Sequence, residues 1–553
     1  MFATVSRVHN LPRYRQIIAV FVRHGFGSML EQMGVDRALL APVHFFRKDK
    51  DWERLTPAQH FRLALEELGP TFIKLGQILS TRPDILPPDF IKELSKLQDS
   101  APPVPWEDIE EQLKSAWSQS PDALFSYIEH EPLATASLAQ VHAAQLRSSG
   151  QMVVIKVQRP DIWPIIRSDL AVLEDLATLA QYTSLGEFYN PIDVVSEFSF
   201  TLQNELNYLR EGRNADRFRR NFVEEPYLYI PKVYWAYTTR NVLVLERIQG
   251  IKIDDVERMR DAGLRPDVVA LNAARIIIKE VLEDGFFHAD PHPGNFFVLP
   301  GNMIGAVDFG MVGHLFDSDR LNLVRLYIAA VRMDAEAIVE QLIRMGAAVA
   351  RVDRPALKRD IGRLLEKYYG SPLKDIRAQE VVSDILPIAW RHHLNFPPDL
   401  WLLGKTLAMM EGVGLQLDPE FDIFAVSKPY VERLSREVWS PLVWGPTLLD
   451  FVMAWGDVMA IAPKVGAKLL YELESGELPL DLKMDMQKPA LETLDRALTR
   501  LSVSVLTAAF ILALAFLIPR ASVSPIITAL IAVGFLLSAG LGVWFLISVL
   551  RRV

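Results

Sequence analysis

The stretch FFHADPHPGNFFV (residues 286–298), followed by AVDFG (residues 306–310), decides how this chain is read. His288-Ala289-Asp290 is followed by Asn295, and Asp308-Phe309-Gly310 begins 13 residues after that asparagine. Apolar, β-type residues flank both halves: Phe296 to Val298, and Ile304 to Val307. Two loops at strand ends, carrying Asp, Asn and Asp at this spacing, suit phosphoryl transfer. Asp290 would face the attacking hydroxyl, while Asn295 and Asp308 hold Mg²⁺ against the phosphates. An HxD triplet alone is common by chance. The ordered pair is specific.

Working outward, the pattern upstream is β-rich. Leu133 to Val141 and Met152 to Val157 read as strands, the second preceded by a turn at Ser148-Ser149-Gly150. Helical periodicity runs from Ile162 to Tyr182 and from Asp193 to Phe222. Pro231–Tyr237 and Asn241–Leu245 read as strands entering a hinge at residues 246–250. The rest is mostly helical. A small β lobe, a hinge and a larger helical lobe follow in protein-kinase order, an α+β two-lobe fold. The domains expected are a helical extension (1–105), an N-lobe (106–250), a C-lobe (251–490) and a tail (491–553).

Lys156 ends Val-Val-Ile-Lys, the form of a strand lysine that reaches the α/β-phosphates. It needs a carboxylate partner, and Glu205 and Glu211 are both candidates. Upstream lies Leu133-Ala134-Thr135-Ala136-Ser137-Leu138-Ala139-Gln140-Val141, where a kinase would carry a glycine-rich loop. Alanine does not easily take positive φ, so this nucleotide loop is expected to be less adaptable. Glu246 is the hinge candidate for the cofactor. His288 and His292 have helical ligand spacing, but Pro291 and Pro293 argue against a helix and hence against zinc. His288 is expected to brace the loop instead. Nothing after Gly310 resembles an Ala-Pro-Glu segment, which disfavours peptide docking.

The net charge of −9 disfavours nucleic acid as a partner. With no cysteine, disulfides, thiolate metal sites and a Cys nucleophile are excluded. At the N-terminus, Ile17 to Val22 is too short for a signal peptide. The tail is different. Leu501 to Leu517 and Ile526 to Leu550 lack charge, predicting transmembrane helices at about 501–519 and 526–550. Arg496, Arg500, Arg551 and Arg552 flank this hairpin against Arg520 in its turn. That bias puts the main domain in the cytoplasm. Gly534, Ser538 and Gly542 form a small-residue face suited to close helix approach.

Taken together, the chain resembles the UbiB family, the bacterial branch of atypical kinase-like proteins that includes the ADCK group. The matching motifs are Lys74-Leu-Gly76-Gln77, the alanine loop, Val-Val-Ile-Lys156, Glu205-Leu206-Asn207, the His288–Asn295 loop, Asp308-Phe-Gly and the Trp401–Leu417 segment with Lys405 and Glu411. The resemblance implies a helical extension folded over the active site, with Lys74 and Gln77 entering the cleft. It implies Lys74 paired with Glu205, and Lys156 with Glu211. It implies ATP (or ADP) and Mg²⁺ as cofactors, with Asp290, Lys156 and Glu211 catalytic. The family's E-x-D motif reads Glu205-Leu206-Asn207 here, which puts any charge role at Asn207 in doubt.

The implied function is a membrane-anchored atypical kinase or ATPase of the inner membrane supporting ubiquinone biosynthesis. Membrane lipids, polyprenyl quinone precursors and quinone-biosynthesis enzymes are the implied partners, and self-association is left open. The competing readings are a non-catalytic nucleotide-binding scaffold and a true protein kinase.

Overall fold

The computed structural model describes residues 11–33, 55–82, 85–97, 101–183, 190–347, 352–370, 376–392, 394 and 396–438. The expected transmembrane hairpin at about 501–519 and 526–550 lies outside the described residues. Among the described residues no helix is long and apolar enough to cross a membrane.

The N-terminal part is helical: α1 (Leu11–Arg23), α2 (Pro57–Leu68) and α3 (Pro70–Leu79). Thr56 starts α2 with a reciprocal cap. The Gln59 amide donates to Thr56 Oγ1 and the Thr56 amide to Gln59 Oε1, and Pro57 occupies the first helical position. Gly69, at φ 97°, separates α2 from α3, a conformation glycine adopts without a Cβ penalty. The apolar faces of all three helices share one core with two later helices, α5 (Ile162–Ala180) and α6 (Pro191–Glu205), with α4 (Trp106–Trp117) lying between in sequence. Ile17, Ile18, Leu65 and Phe72 are fully buried there. Each such side chain contributes roughly 1.5–3 kcal/mol. Gly76 sits at the tightest contact: a Cβ there would overlap Leu97 Cδ1 and lie 2.8 Å from Leu65 Cδ1.

The first sheet holds β1 (Phe125–Ile128), β2 (Ala134–Thr135), β3 (Ala139–Leu146), β4 (Met152–Gln158) and, later in the chain, β6 (Val242–Glu246). Its order is β1-β3-β4-β6, with β2 also pairing β3, and every pair is antiparallel. Val153, Ile155 and Val157 point to one face and pack on Ile109 and Leu113 of α4. Period-2 alternation sends Lys156 to the other. After α6 comes α7 (Tyr208–Asn221). A second sheet runs β5 (Leu228–Tyr229), β10 (Met303–Ala306), β9 (Phe296–Leu299), β7 (Ile251–Lys252). A third pairs β8 (Phe286–His288) with β11 (Val312–His314), His288 opposite Val312. Helices α8 (Pro266–Ile278) and α9 (Pro398–Leu417) pack together in the core that holds Phe286, Phe287 and Phe309.

Three expectations are corrected. Leu133–Val141 is not one strand: β2 folds back on β3, with Ala134 opposite Val141, and the Ala136 amide closes the turn onto the Ala139 carbonyl at 2.8 Å. The helical run from Asp193 to Phe222 breaks at Leu206–Asn207, where Asn207 leaves helical geometry (φ −109°, ψ 90°) and the Tyr208 amide donates to the Arg240 carbonyl. Pro231–Tyr237 forms a single bridge, Val233 to Leu245, and then turns. The short strands β1, β5 and β7 were not anticipated. Four residues or fewer carry too little alternation to be read.

Candidate active site

Lys156 reaches from β4 to α7, where both oxygens of Glu211 accept from its Nζ at 2.8 and 3.0 Å. Its third contact is Asp308 Oδ2 at 3.2 Å. An ammonium donating to both carboxylate oxygens needs both as acceptors, so this is an ion pair. Burial opposes the charge on Lys156. Asp308 and Glu211 outweigh it and hold the ammonium well above its usual range. Burial pushes Glu211 up to about 7 against the pull of Lys156, and Asp308 and Glu205 add to the push. Asp308 goes the other way: despite burial, Lys156 and the Gly310 amide bring it down to about 2. Asp308 itself sits at φ 62°, with Oδ1 accepting the Gly310 amide at 3.1 Å. That left-handed conformation is costly for a non-glycine residue, and its place at a ligand-facing turn fits a functional constraint.

The HxD loop is braced from below. The Asp290 amide donates to His288 Nδ1 at 3.2 Å, which leaves the ring proton on Nε2. Burial lowers the His288 pKa, against the pull of Asp290 and Asp308. The His288 amide donates to Glu280 Oε2 at 3.1 Å; that carboxyl is buried in a π-helical turn, Lys279–Asp284. Phe309 is fully buried against Phe218 of α7 and the His288 ring, and its carbonyl accepts from Asn214 Nδ2 at 2.9 Å. Thus the helix that carries Glu211 is tied to both loops. Asn295 Nδ2 donates to the Asp290 carbonyl at 3.2 Å, which leaves Oδ1 as an acceptor.

Asn295 and Asp308 offer two hard oxygen ligands. Among the described residues no cluster of three or more metal-ligating side chains forms. Two oxygens suit a Mg²⁺ that keeps waters and takes phosphate oxygens, rather than a cation caged by protein alone. The chemistry of the donor set therefore fits Mg-nucleotide.

The extension delivers Lys74 from α3 to an ion pair with Glu205, both largely buried. Gln77 does not join that pair: its amide donates to the Leu97 carbonyl at 3.3 Å. In the alanine loop Leu133 and Ala134 are exposed and Thr135, Ala136 and Val141 half-buried. Ser137, Leu138, Ala139 and Gln140 are buried. Gln140 binds the Val104 backbone rather than facing outward. Arg159 ties the Ala136 carbonyl, at 2.8 Å, to the Pro102 carbonyl, at 2.6 Å, fastening the loop to the proline linker. No residue of this loop takes positive φ. Glu246 accepts from Tyr229 Oη at 2.8 Å and from the Lys232 amide at 3.2 Å, apart from the Lys156 group. His292 accepts the Gly294 amide on Nδ1. Asn207 Oδ1 is buried at the α6–α7 break without a hydrogen-bond partner among the described residues.

Sequence reasoning missed Glu280 and Asn214 as members of this site, and nothing local to them signals it; it singled out Lys405 only as part of the Trp401–Leu417 segment, with no role in the site.

Family models match in order along the chain: an ABC1 atypical kinase-like domain at residues 96–342, a UbiB helical domain at 361–422, and an ABC1/UbiB kinase-like C-terminal domain at 486–551. A protein of Pseudomonas paraeruginosa named "Probable protein kinase UbiB" is 44% identical over 396 residues, 70% of this chain and 73% of that one. The chain belongs to the UbiB family. UbiB relatives so named from Marinobacter nauticus and Xanthomonas campestris are 38% and 36% identical, over 84% and 90% of this chain and 86% and 90% of their own. A solved structure, an erythromycin complex of a Mycobacterium tuberculosis protein, aligns at 24% identity and a TM-score of 0.48, covering 66% of this chain and 93% of that one. The family models give the chain a kinase-like fold, matching the mixed helices and sheets described above.

Proposed function

We propose that this UbiB-family chain binds ATP with Mg²⁺ and hydrolyses it or transfers its γ-phosphate, in support of ubiquinone biosynthesis at the inner membrane. The observation that carries the reading is the closed set of Lys156, Glu211 and Asp308, at 2.8 to 3.2 Å, beside the loop bearing Asp290 and Asn295. Lys156, held by Glu211, would bind the α/β-phosphates. Asp308 and Asn295 would hold Mg²⁺. When bound, the ion would neutralise charge developing on the transferred phosphoryl group. Asp290 would orient the attacking hydroxyl or water and accept its proton.

The Lys74–Glu205 pair favours a small or lipid-linked acceptor over a docked protein. It places the extension beside the helix that leads into Glu211. Membrane anchoring rests on the uncharged tail segments, Leu501–Leu517 and Ile526–Leu550. Lipid precursors and quinone enzymes are the partners that fit this reading.

The test is quinone profiling of a deletion strain complemented by wild type, by Asp290→Asn, or by a chain ending near Arg500. Wild type should restore the quinone, Asp290→Asn should not, and the shortened chain should leave the carbonate-washed membrane fraction. Full restoration by Asp290→Asn would favour a scaffold. No restoration by wild type would remove the pathway assignment.

A further inference from the structure

We propose that Lys405 is the cation of the catalytic loop, supplied from α9 to act on the phosphoryl group transferred beside Asp290. The inference rests on the reading above that this cleft handles the γ-phosphate of Mg-ATP. Kinase loops of this spacing read H-R-D, with a cation between His and Asp. Here that place is Ala289, fully buried, and no Lys or Arg occurs from His288 to Asn295. The chain instead brings a lysine from 115 positions away. Lys405 Nζ lies 3.3 Å from Asp290 Oδ1.

The helix holds that ammonium in place. Thr406, next in sequence, is fully buried and donates its hydroxyl to the His288 carbonyl at 3.4 Å. Leu403 and Met410 are buried in the core that contains Phe286 and Phe287. Glu411, next after Met410, accepts the Gln379 amide at 3.3 Å. The Lys405 backbone is therefore registered against the strand that carries the HxD loop.

The pair itself does little for the fold. The two side chains are 34% and 40% exposed, and ion pairs so exposed contribute about 0–1 kcal/mol. Lys156 is already committed to Glu211 and Asp308. Lys405 has three donors and uses one on Asp290. With its side chain 34% exposed, its remaining donors would serve a transferred phosphoryl group, where developing charge needs a donor fixed in advance. Its role is electrostatic: it aligns Asp290 and stabilises the phosphoryl oxygens during transfer.

The test uses the full chain as wild type, Lys405→Met and Lys405→Arg. Three quantities are read: affinity for Mg-ADP, the added affinity when aluminium fluoride mimics the transferred phosphoryl group, and ATP turnover. Lys405→Met should keep Mg-ADP affinity within about threefold while losing tenfold or more of the aluminium fluoride gain, and turnover should fall about 100-fold with KM little changed. Lys405→Arg should recover most of both. The melting temperature without ligand should be unchanged in both variants. If Lys405→Met keeps the aluminium fluoride gain, the assignment is overturned. It is equally overturned if Mg-ADP affinity and melting temperature fall together, which marks a structural role. If wild type shows no turnover, the hydrolysis reading fails, yet the aluminium fluoride comparison still decides the role of Lys405. A wild type that gains nothing from aluminium fluoride overturns both.

Discussion

Glu211 receives the Lys156 ammonium on both carboxylate oxygens, at 2.8 and 3.0 Å, from a helix whose start is set by the break at Leu206–Asn207. Were α6 to continue unbroken, Glu211 would follow the periodicity of α6 rather than face β4. The break also separates the two acids: Glu205 closes α6 and takes Lys74, while Glu211 lies in the first turn of α7 and takes Lys156.

Breaking this pair from one side should be costly. Lys156→Met leaves a buried carboxylate without its cation, and Glu211→Gln leaves the ammonium facing Asp308 alone. Each should destabilise by roughly 3 kcal/mol or more, and the double variant by less than the sum. Urea unfolding of the four proteins measures this. Additive effects would mean that the two side chains do not act as a pair.

The extension should restrain the site through a few contacts. Lys74→Ala frees Glu205, and Ala134→Gly loosens the loop that Arg159 fastens to the linker. Either change should raise self-phosphorylation or alter the ADP-to-ATP preference. Gly76→Ala, which crowds Leu97 and Leu65, should act in the same direction and lower stability by about 1–3 kcal/mol. Label incorporation from γ-labelled ATP and the two nucleotide affinities are the readouts. Values equal to wild type in all three variants would leave these residues as packing elements.

Much of this arrangement is legible in the sequence, for identifiable reasons. Lys156 is found because it ends Val-Val-Ile-Lys, an apolar strand-like run upstream of the HxD loop, and such a run survives in a buried strand. Asp290, Asn295 and Asp308 are found because their roles require fixed loop spacings. Other features rest on contacts that no local window contains. The choice between Glu205 and Glu211 turns on a break that helical periodicity does not mark. Gln140 sits in a stretch that reads as a phosphate loop, yet its partner is Val104, 36 positions away. Lys405 is 115 positions from Asp290. Glu280 reads as an ordinary helical acid until the fold buries it beneath His288.

Glu280 should leave a mark on the pH dependence of stability. Burial raises its carboxyl from 4.5 to about 8, and the His288 amide only partly offsets this. The folded state therefore holds this proton where the unfolded chain has lost it. The contribution is full below about 4.5 and declines as pH rises toward 8. Glu280→Gln should remove a slope worth on the order of 2 kcal/mol or more across that window. Denaturant midpoints measured from pH 5 to 8 would show it. An unchanged slope in the variant would mean that Glu280 does not carry that proton.

The central claim is that Asp308, with Asn295, holds Mg²⁺ against a nucleotide bound at Lys156. Asp308→Asn keeps the size of the side chain and its bond to Gly310 while removing the charge. The most direct measurement is the thermal shift produced by Mg-ATP in wild type and in this variant. The account predicts a clear, Mg-dependent stabilisation of wild type and its near-complete loss in Asp308→Asn, with the ligand-free protein still folded. An equal shift in both proteins would contradict it.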